Sequence, residues 1–223
     1  MTAVAAFLLA FPALFSIVNP VGSAFIFDAA TAHVSRPDRA QLAWRVGLYS
    51  LLVMLGALWA GSYVLSFFGV TIAALRLAGG SVVALNAWHL LTAPEHREAR
   101  KQEEVGPTGQ AVLDMAFFPL TMPFTAGPGT ISVAITLGAE RPASGPGLLG
   151  FFVGTSAAAA AMALLVWIAY RSAGRVARLL GTSGRRTIAR LFAFLLLCVG
   201  MQILISGIED IAGAIIATQH PGG

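Results

Sequence analysis

The sequence predicts an all-α membrane protein in which six transmembrane helices form two inverted three-helix repeats, with helices 1 and 4 broken. Of its 223 residues, 57% are hydrophobic and only 11% are charged, and the mean hydropathy is +0.79. Soluble domains carry about 25% charged residues, so this chain could not cover a water-exposed surface with polar groups. Lipid is the solvent that fits this composition.

Six apolar stretches have the length of roughly 20 residues that a spanning helix needs. The opening residues lack the basic region of a secretory signal peptide, so we expect the first stretch to be retained as a helix. The predicted units are a first repeat over 1–92, a cytoplasmic linker over 93–112 and a second repeat over 113–223. The six stretches are 3–27, 42–66, 70–92, 113–137, 146–170 and 188–210.

The basic residues concentrate in alternate connections between these stretches. An excess of Lys and Arg marks cytoplasmic loops, so the first, third and fifth connections are predicted to face inward and both termini outward. The same placement argues against nucleic acid as the partner, although the pI is about 10.0. The inward residues are Arg36, Arg39, Arg45, Arg97, Arg100, Lys101, Arg171, Arg175, Arg178, Arg185 and Arg186; Arg141 alone lies outside the helices on the other side.

The two halves of the chain echo each other. Residues 11–24 read FPALFSIVNPVGSA and are similar to residues 118–132, which read FPLTMPFTAGPGTIS. Likewise, TIAALRLAGG at 71–80 is similar to TIARLFAF at 187–194. A unit of three helices returns the chain to the opposite face of the bilayer. The second unit is therefore predicted to be inverted relative to the first, as in many secondary transporters.

Helix-breaking residues fall inside two of the apolar stretches. Proline removes a backbone donor, and hydrocarbon cannot replace it, so the breaks at Pro20–Gly22 and Gly127–Gly129 are expected in the protein interior. Broken helix ends offer N–H groups to an anion and carbonyls to a cation, which together suit a zwitterion. The alternative is that these prolines only kink two helices for packing. The polar flanks of the two breaks are Asn19, Ser23, Thr125 and Thr130.

Other residues bear on coupling and assembly. Arg76 in the third stretch is costly in lipid and therefore a candidate for function or for pairing. The carboxylates lie near the boundaries, as Asp28 does, which favours sodium held by backbone oxygens, or uncoupled exchange, over proton coupling. Gly150 and Gly154 predict close helix packing, either within the protomer or across a homodimer. Neither the four histidines nor Cys198 suggests a metal, a disulfide or a cofactor.

The sequence resembles the MarC family of bacterial inner-membrane proteins, related to the LysE-type exporters. The matching segments are SIVNPVGSAFIF, FGVTIAALRLAGGSVVA, FFPLTMPFTAGPGTIS and IARLFAFLLLCVGMQILISGI. The resemblance implies a six-helix protein of the inner membrane with periplasmic termini, and some relatives are classed as neutral amino acid transporters. With Ser23 added from the pattern of the first break, the predicted substrate site comprises Asn19, Pro20, Gly22, Ser23, Arg76, Gly79, Gly80, Thr125, Gly127, Pro128, Gly129 and Thr130.

Three functions are weighed on these observations. The leading hypothesis is a transporter of a small solute, best a neutral amino acid, with a midplane site at the two breaks. A membrane-embedded enzyme would need a nucleophile–base pair, a metal cluster or paired acids, and none of these patterns is visible. A non-transporting scaffold or regulator, docking anionic lipid or a partner through its basic loops, stays open.

Overall fold

The structure is a computed structural model that describes residues 1–31, 34–92, 114–142 and 147–219. All secondary structure within these residues is helical, which confirms the predicted all-α class. The predicted linker 93–112, with its three basic residues, lies outside the described residues. The helices are α1 Ala3–Val18, α2 Pro20–Ala30, α3 Arg36–Phe67, α4 Ile72–Thr92, α5 Ala116–Thr125, α6 Pro128–Ala139 and α7 Gly147–Gln219.

Four described helical stretches are long and apolar enough to cross a membrane. They are Ala3–Asp28, Arg36–Phe67, Gly147–Val176 and Arg190–Ile216. They overlap the predicted first, second, fifth and sixth spans. Helix α4 and the α5–α6 pair fall on the predicted third and fourth spans, and α6 is a shorter apolar helix.

Helix α7 bends back on itself between two of these spans. Gly174 packs beside the Asp28 carboxylate, whereas Phe192 packs on Gly22. Eighteen residues of straight helix would cover about 27 Å, but the six residues from Gly22 to Asp28 cover only about 9 Å. The two halves of α7 therefore run as a hairpin. The turn between the two halves is assigned helical backbone, where the sequence predicted a connection.

Helix α3 starts six residues before the predicted span because its first turn is capped. The Ser35 hydroxyl oxygen accepts the Asp38 backbone N–H at 3.3 Å and donates to the Asp38 carboxylate at 2.7 Å, and Pro37 occupies the first turn. A serine cap followed by proline is a helix start that does not depend on burial. The apolar pattern alone could not place this boundary.

Small residues set the distances between the helices. Gly150 and Gly154 pack against the backbone of residues 1–7 at the start of the same chain, so the Gly150–Gly154 motif makes an intramolecular contact. Gly138 packs on the Leu58 carbonyl, and Gly200 lies against Ala84. Small side chains let helix backbones approach closely, which is the dominant packing device in lipid.

Large apolar side chains cover much of the outer surface. Leu52, Trp59, Phe67, Ile205 and Ile216 are all about half exposed or more. An apolar surface of this extent is incompatible with water. It is the surface expected of helices that contact acyl chains.

Candidate functional site

The first break separates α1 from α2 at a single residue. Asn19 adopts φ 46° and ψ 64°, the left-handed region, and is the only non-glycine residue with positive φ in the described chain. Its N–H completes α1 by donating to the Phe15 carbonyl at 3.0 Å, and its side-chain oxygen accepts the Gly22 N–H at 3.1 Å. Asparagine tolerates this conformation and is a preferred helix cap. Asn19 thus ends one helix and caps the next, with Pro20 as the first residue of α2.

The second break is built by two prolines upstream of the predicted one. Phe118 (φ −126°, ψ 124°) and Met122 (φ −108°, ψ 121°) are extended inside α5. Each precedes a proline, whose ring disfavours helical backbone in the residue before it. The segment is consequently kinked and is not a regular helix. It ends at Thr125, and Gly127 leads into α6 with Pro128 in its first turn and without a side-chain cap.

Hydroxyl groups replace the backbone bonds that the prolines remove. The Thr121 hydroxyl donates to the Ala116 carbonyl at 2.6 Å, and the Thr125 hydroxyl donates to the Leu120 carbonyl at 2.7 Å. Each reaches back five residues. Buried carbonyls without partners are costly, so these threonines make the irregular backbone tolerable inside the protein.

The same hydroxyl bond spans both breaks. Ser23 donates to the Val18 carbonyl at 2.8 Å, and Thr130 reaches the Thr125 carbonyl at 3.5 Å, again five residues back in each case. Ser23 and Thr130 are both buried. The two breaks therefore share this local geometry at the residues that the sequence comparison aligns.

The two breaks lie against each other in the interior. Gly129, the second residue of α6, packs against Ile17 at the end of α1 and against Val83 of α4. A methyl group at Gly129 would lie 3.2 Å from Ile17 Cδ1 and would overlap the Val83 side chain. The absence of a side chain at Gly129 is what permits this contact.

Tyr170, on α7, joins the two breaks and was not predicted from the sequence. It is 2% exposed, and its hydroxyl lies 2.5 Å from the Thr125 hydroxyl and also contacts the Ser23 side chain. Thr125 and Ser23 have already given their protons to carbonyls. The Tyr170 hydroxyl is therefore the donor to Thr125, and it lies beside residues of both breaks. In the sequence, Tyr170 ends an apolar run beside Arg171, the position of an interfacial aromatic belt, and that pattern carries no signal of a buried site.

A partly buried ion pair lies next to Tyr170. The Tyr170 ring stacks on Phe27 at 4.4 Å between centroids, and the Arg39 guanidinium carbon lies 5.6 Å from the Phe27 centroid. Arg39 pairs with Asp28, whose side chain is 7% exposed. The sequence placed Arg39 among the orientation-setting loop charges and left Asp28 without a role. The fold brings the two together because α3 returns past the end of α2.

The three predicted site residues of α4, Arg76, Gly79 and Gly80, do not all lie at the breaks. Gly79 packs on Ser132 and on the Pro128 carbonyl of α6, whereas Gly80 packs on the Gly200 carbonyl of α7. Both glycines serve close helix contacts. Arg76 lies one turn away and pairs with Asp210 at 2.7 Å, with its side chain 24% exposed.

The twelve predicted residues therefore fall into two groups. Ten of them form the junction of the two breaks or its lining, including Gly79 and excluding Arg76 and Gly80. Within the described residues, no three His, Cys, Asp or Glu side chains are grouped so as to hold a metal ion. The junction offers hydroxyls, including that of Tyr170, and helix ends, which is chemistry for binding polar groups.

Comparison with known proteins places the chain in a class. The model of the MarC family, described as integral membrane proteins, matches residues 4–212. The inner membrane protein MarC of Salmonella typhimurium is 34% identical over 214 residues, covering 93% of this chain and 94% of the relative. The protein of the same name from Escherichia coli strain SMS-3-5 is 32% identical over 224 residues, with the same coverage. No solved structure matches the chain.

These matches and the apolar helices define an integral protein of the inner membrane. The chain belongs to the MarC family.

Proposed function

We propose that this protein is a secondary transporter of small solutes, with neutral amino acids as the best substrate class, working by alternating access at the junction of the two breaks. The observation that carries the proposal is the buried contact of two interrupted helices, bridged by Tyr170. Interrupted helices that meet in the interior are the usual site architecture of secondary transporters. Lipid-facing kinks would not need this burial.

The pairing of the helices supports two inverted repeats. The chain of α1 and α2 runs parallel to the first half of α7, since Met1 lies by Gly147 and Asp28 by Gly174. The chain of α5 and α6 runs parallel to α3 in the same way, from the Phe117–Tyr49 contact to the Gly138–Leu58 contact. A two-fold axis in the membrane plane would exchange these two pairs. With the charge distribution of the loops, this arrangement supports a topology of six spans with periplasmic termini.

Coupling to sodium would require a rearrangement of the junction. The carbonyls of Val18 and Leu120, which a sodium ion could use, already accept hydroxyl protons. A cation would have to compete with those hydroxyls, or bind after they rotate. Uncoupled exchange needs no such step. Because the carbonyls and hydroxyls of the junction bond one another, this conformation corresponds to a closed state of the proposed transporter.

A non-transporting scaffold is the second candidate, and the closed packing favours it. Ser23, Thr125 and Tyr170 satisfy one another without a ligand. A measurement of solute transport across a bilayer distinguishes the transporter from the scaffold. A scaffold predicts that no neutral amino acid is taken up or exchanged by proteoliposomes that contain the purified protein.

The test is a counterflow screen of neutral amino acids in proteoliposomes, followed by two pairs of variants. Thr130→Val should abolish flux, because valine has the shape of threonine but no hydroxyl. Thr130→Ser should retain flux, because serine keeps the hydroxyl. Asn19→Gly keeps the left-handed backbone and costs only a few tenths of a kcal/mol as a cap. We expect Asn19→Gly to abolish flux because the amide contacts substrate. Full flux in both Thr130→Val and Asn19→Gly would exclude the junction as the site.

A further inference from the structure

A pocket of about 370 Å³ opens at the end of α6 remote from the break. Small-molecule sites range over roughly 300–1,000 Å³, so this one has room for a small metabolite. It lies between the start of α4, the end of α6 and the last turns of α7. Its lining residues are Ile72, Ala73, Arg76, Thr136, Ala139, Glu140 and Asp210.

The pocket carries one cation and two carboxylates. Arg76 Nη1 donates to Asp210 at 2.7 Å. A guanidinium has five N–H donors, so this contact leaves capacity for a second anion. The Asp210 side chain is 37% exposed, and Glu140 makes no ion pair within the described part of the chain. All three charged groups are open to a ligand.

The rest of the lining is apolar with one orphaned hydroxyl. Ile72, Ala73 and Ala139 supply aliphatic surface. The Thr136 hydroxyl oxygen is buried and has no hydrogen-bond partner among the described residues. A buried polar atom without a partner is rare and costly. Rotation of the Thr136 side chain would bring this hydroxyl to a polar group bound in the pocket.

We infer that this pocket is an outer capture site for a small zwitterion that bears both a carboxylate and an ammonium group. A simple anion would meet two carboxylates, and a simple cation would meet Arg76. A zwitterion can place its carboxylate on Arg76 and its ammonium between Asp210 and Glu140, with an aliphatic side chain on Ile72 and Ala73.

This inference rests on the proposed transport function, for which it supplies the entry point. Helix α6 connects the pocket to the break: from Thr136 to Pro128 is eight residues, or about 12 Å of helix. A ligand held at Arg76 therefore lies about two turns from the junction. The loop charges place this end of the helices on the periplasmic side.

The test is binding of L-alanine, L-valine and L-leucine to the full-length purified protein by isothermal titration calorimetry. The ligand that binds most tightly is then compared with its decarboxylated amine and its deaminated acid. We expect each analogue to bind at least tenfold more weakly, since each lacks one of the two charges. Equal binding of either analogue, or no binding by any of the three amino acids, would overturn the inference.

Substitutions locate the site. Asp210→Asn and Arg76→Gln should each weaken binding at least tenfold, and Thr136→Val should weaken it severalfold. Glu209→Gln is the matched control because its carboxylate is adjacent to Asp210 in sequence and does not line the pocket. Circular dichroism checks that each variant is folded. If Arg76→Gln misfolds, Arg76→Lys replaces it; this variant keeps the charge and should bind the amino acid more weakly than wild type.

The outcomes separate the pocket from transport. If flux is observed but binding ignores the pocket substitutions, the capture site is wrong and the transporter stands. If binding follows the pocket substitutions but no neutral amino acid crosses the bilayer, the site stands and the transporter fails.

Discussion

Single residues at the junction carry more than one role each. Asn19 ends α1 and caps α2, while Thr125 donates to a carbonyl and accepts from Tyr170. Side chains that serve two partners cannot be replaced without leaving one of them unsatisfied in a dry interior. Tyr170 is the extreme case, because its hydroxyl bonds Thr125 of the second break and also lies beside Ser23 of the first.

The substitution Tyr170→Phe tests this bridge. The ring and its stacking on Phe27 remain, and only the hydroxyl is lost. We expect the free energy of unfolding to fall by about 1 kcal/mol, the net value of one hydrogen bond. Counterflow of the substrate should fall by about tenfold, the factor that 1.4 kcal/mol represents. Thermal unfolding in detergent and proteoliposome counterflow measure the two effects.

The control for Tyr170→Phe is Tyr63→Phe. The Tyr63 side chain is 63% exposed, and its ring lies under Arg141, a contact that phenylalanine keeps. The control should match wild type in stability and flux. Tyr170→Phe with unchanged flux would show that the bridge has no part in transport.

At the scale of elements, prolines interrupt the helices, and hydroxyl groups donate hydrogen bonds to carbonyls at the interruptions. These hydrogen bonds allow the interrupted segments to be buried. Helix α5 has two extended residues because two prolines follow them. The hydroxyls of Thr121 and Thr125 donate hydrogen bonds to two carbonyls of this helix. The small residues that follow, of which Gly129 is the tightest, let the start of α6 touch both α1 and α4.

The substitution Gly129→Ala should destabilise the protein by about 1–3 kcal/mol, the usual cost of overpacking. The added methyl group would overlap Val83, a stiff β-branched side chain. The double variant Gly129→Ala with Val83→Ala should recover part of the loss, since the overlapping methyl is then absent. Thermal unfolding followed by circular dichroism measures all three.

Gly56→Ala is the matched control, because a methyl group there has no neighbour within 4 Å. Alanine is favoured over glycine in a helix by roughly 0.5–1 kcal/mol, so this variant should be neutral or slightly more stable. Equal losses at Gly129 and Gly56 would mean that close packing at the break does not matter.

At the scale of the whole molecule, each interrupted unit packs along a long helix from the other half of the chain. The α1–α2 unit lies beside the first half of α7, and the α5–α6 unit lies beside α3. On the proposed function, these units would expose one site to opposite sides of the bilayer in turn. The basic loops predict the orientation of the units in the bilayer.

Cysteine labelling tests the orientation. In a Cys198→Ser background, single cysteines replace Thr2, Arg36 or Val70, all exposed positions. A membrane-impermeant maleimide should label Thr2→Cys and Val70→Cys in intact spheroplasts. Arg36→Cys should react only after permeabilisation. The reverse pattern would place the termini in the cytoplasm.

The sequence by itself determined the class of the protein and the two regions in which helices are interrupted, although Phe118 and Met122 are extended upstream of the predicted Gly127–Gly129 break. Composition excludes a soluble fold, and Pro20 and Pro128 interrupt helices through local covalent geometry, which needs no tertiary contact. Asn19 next to Pro20 is a local signal as well, since capping depends on neighbours in the chain. Each of these features is set by residues that are adjacent or nearly adjacent in the chain.

Only the tertiary structure decided which residues meet. Tyr170 lies 45 residues from Thr125, and Arg76 lies 134 residues from Asp210. Tyr170 is typical of a membrane interface in the sequence and becomes the centre of the junction only because the first half of α7 packs along α1 and α2. Which of these distant side chains share a pocket depends on how helices pack through small residues, and that packing is not encoded within any one segment.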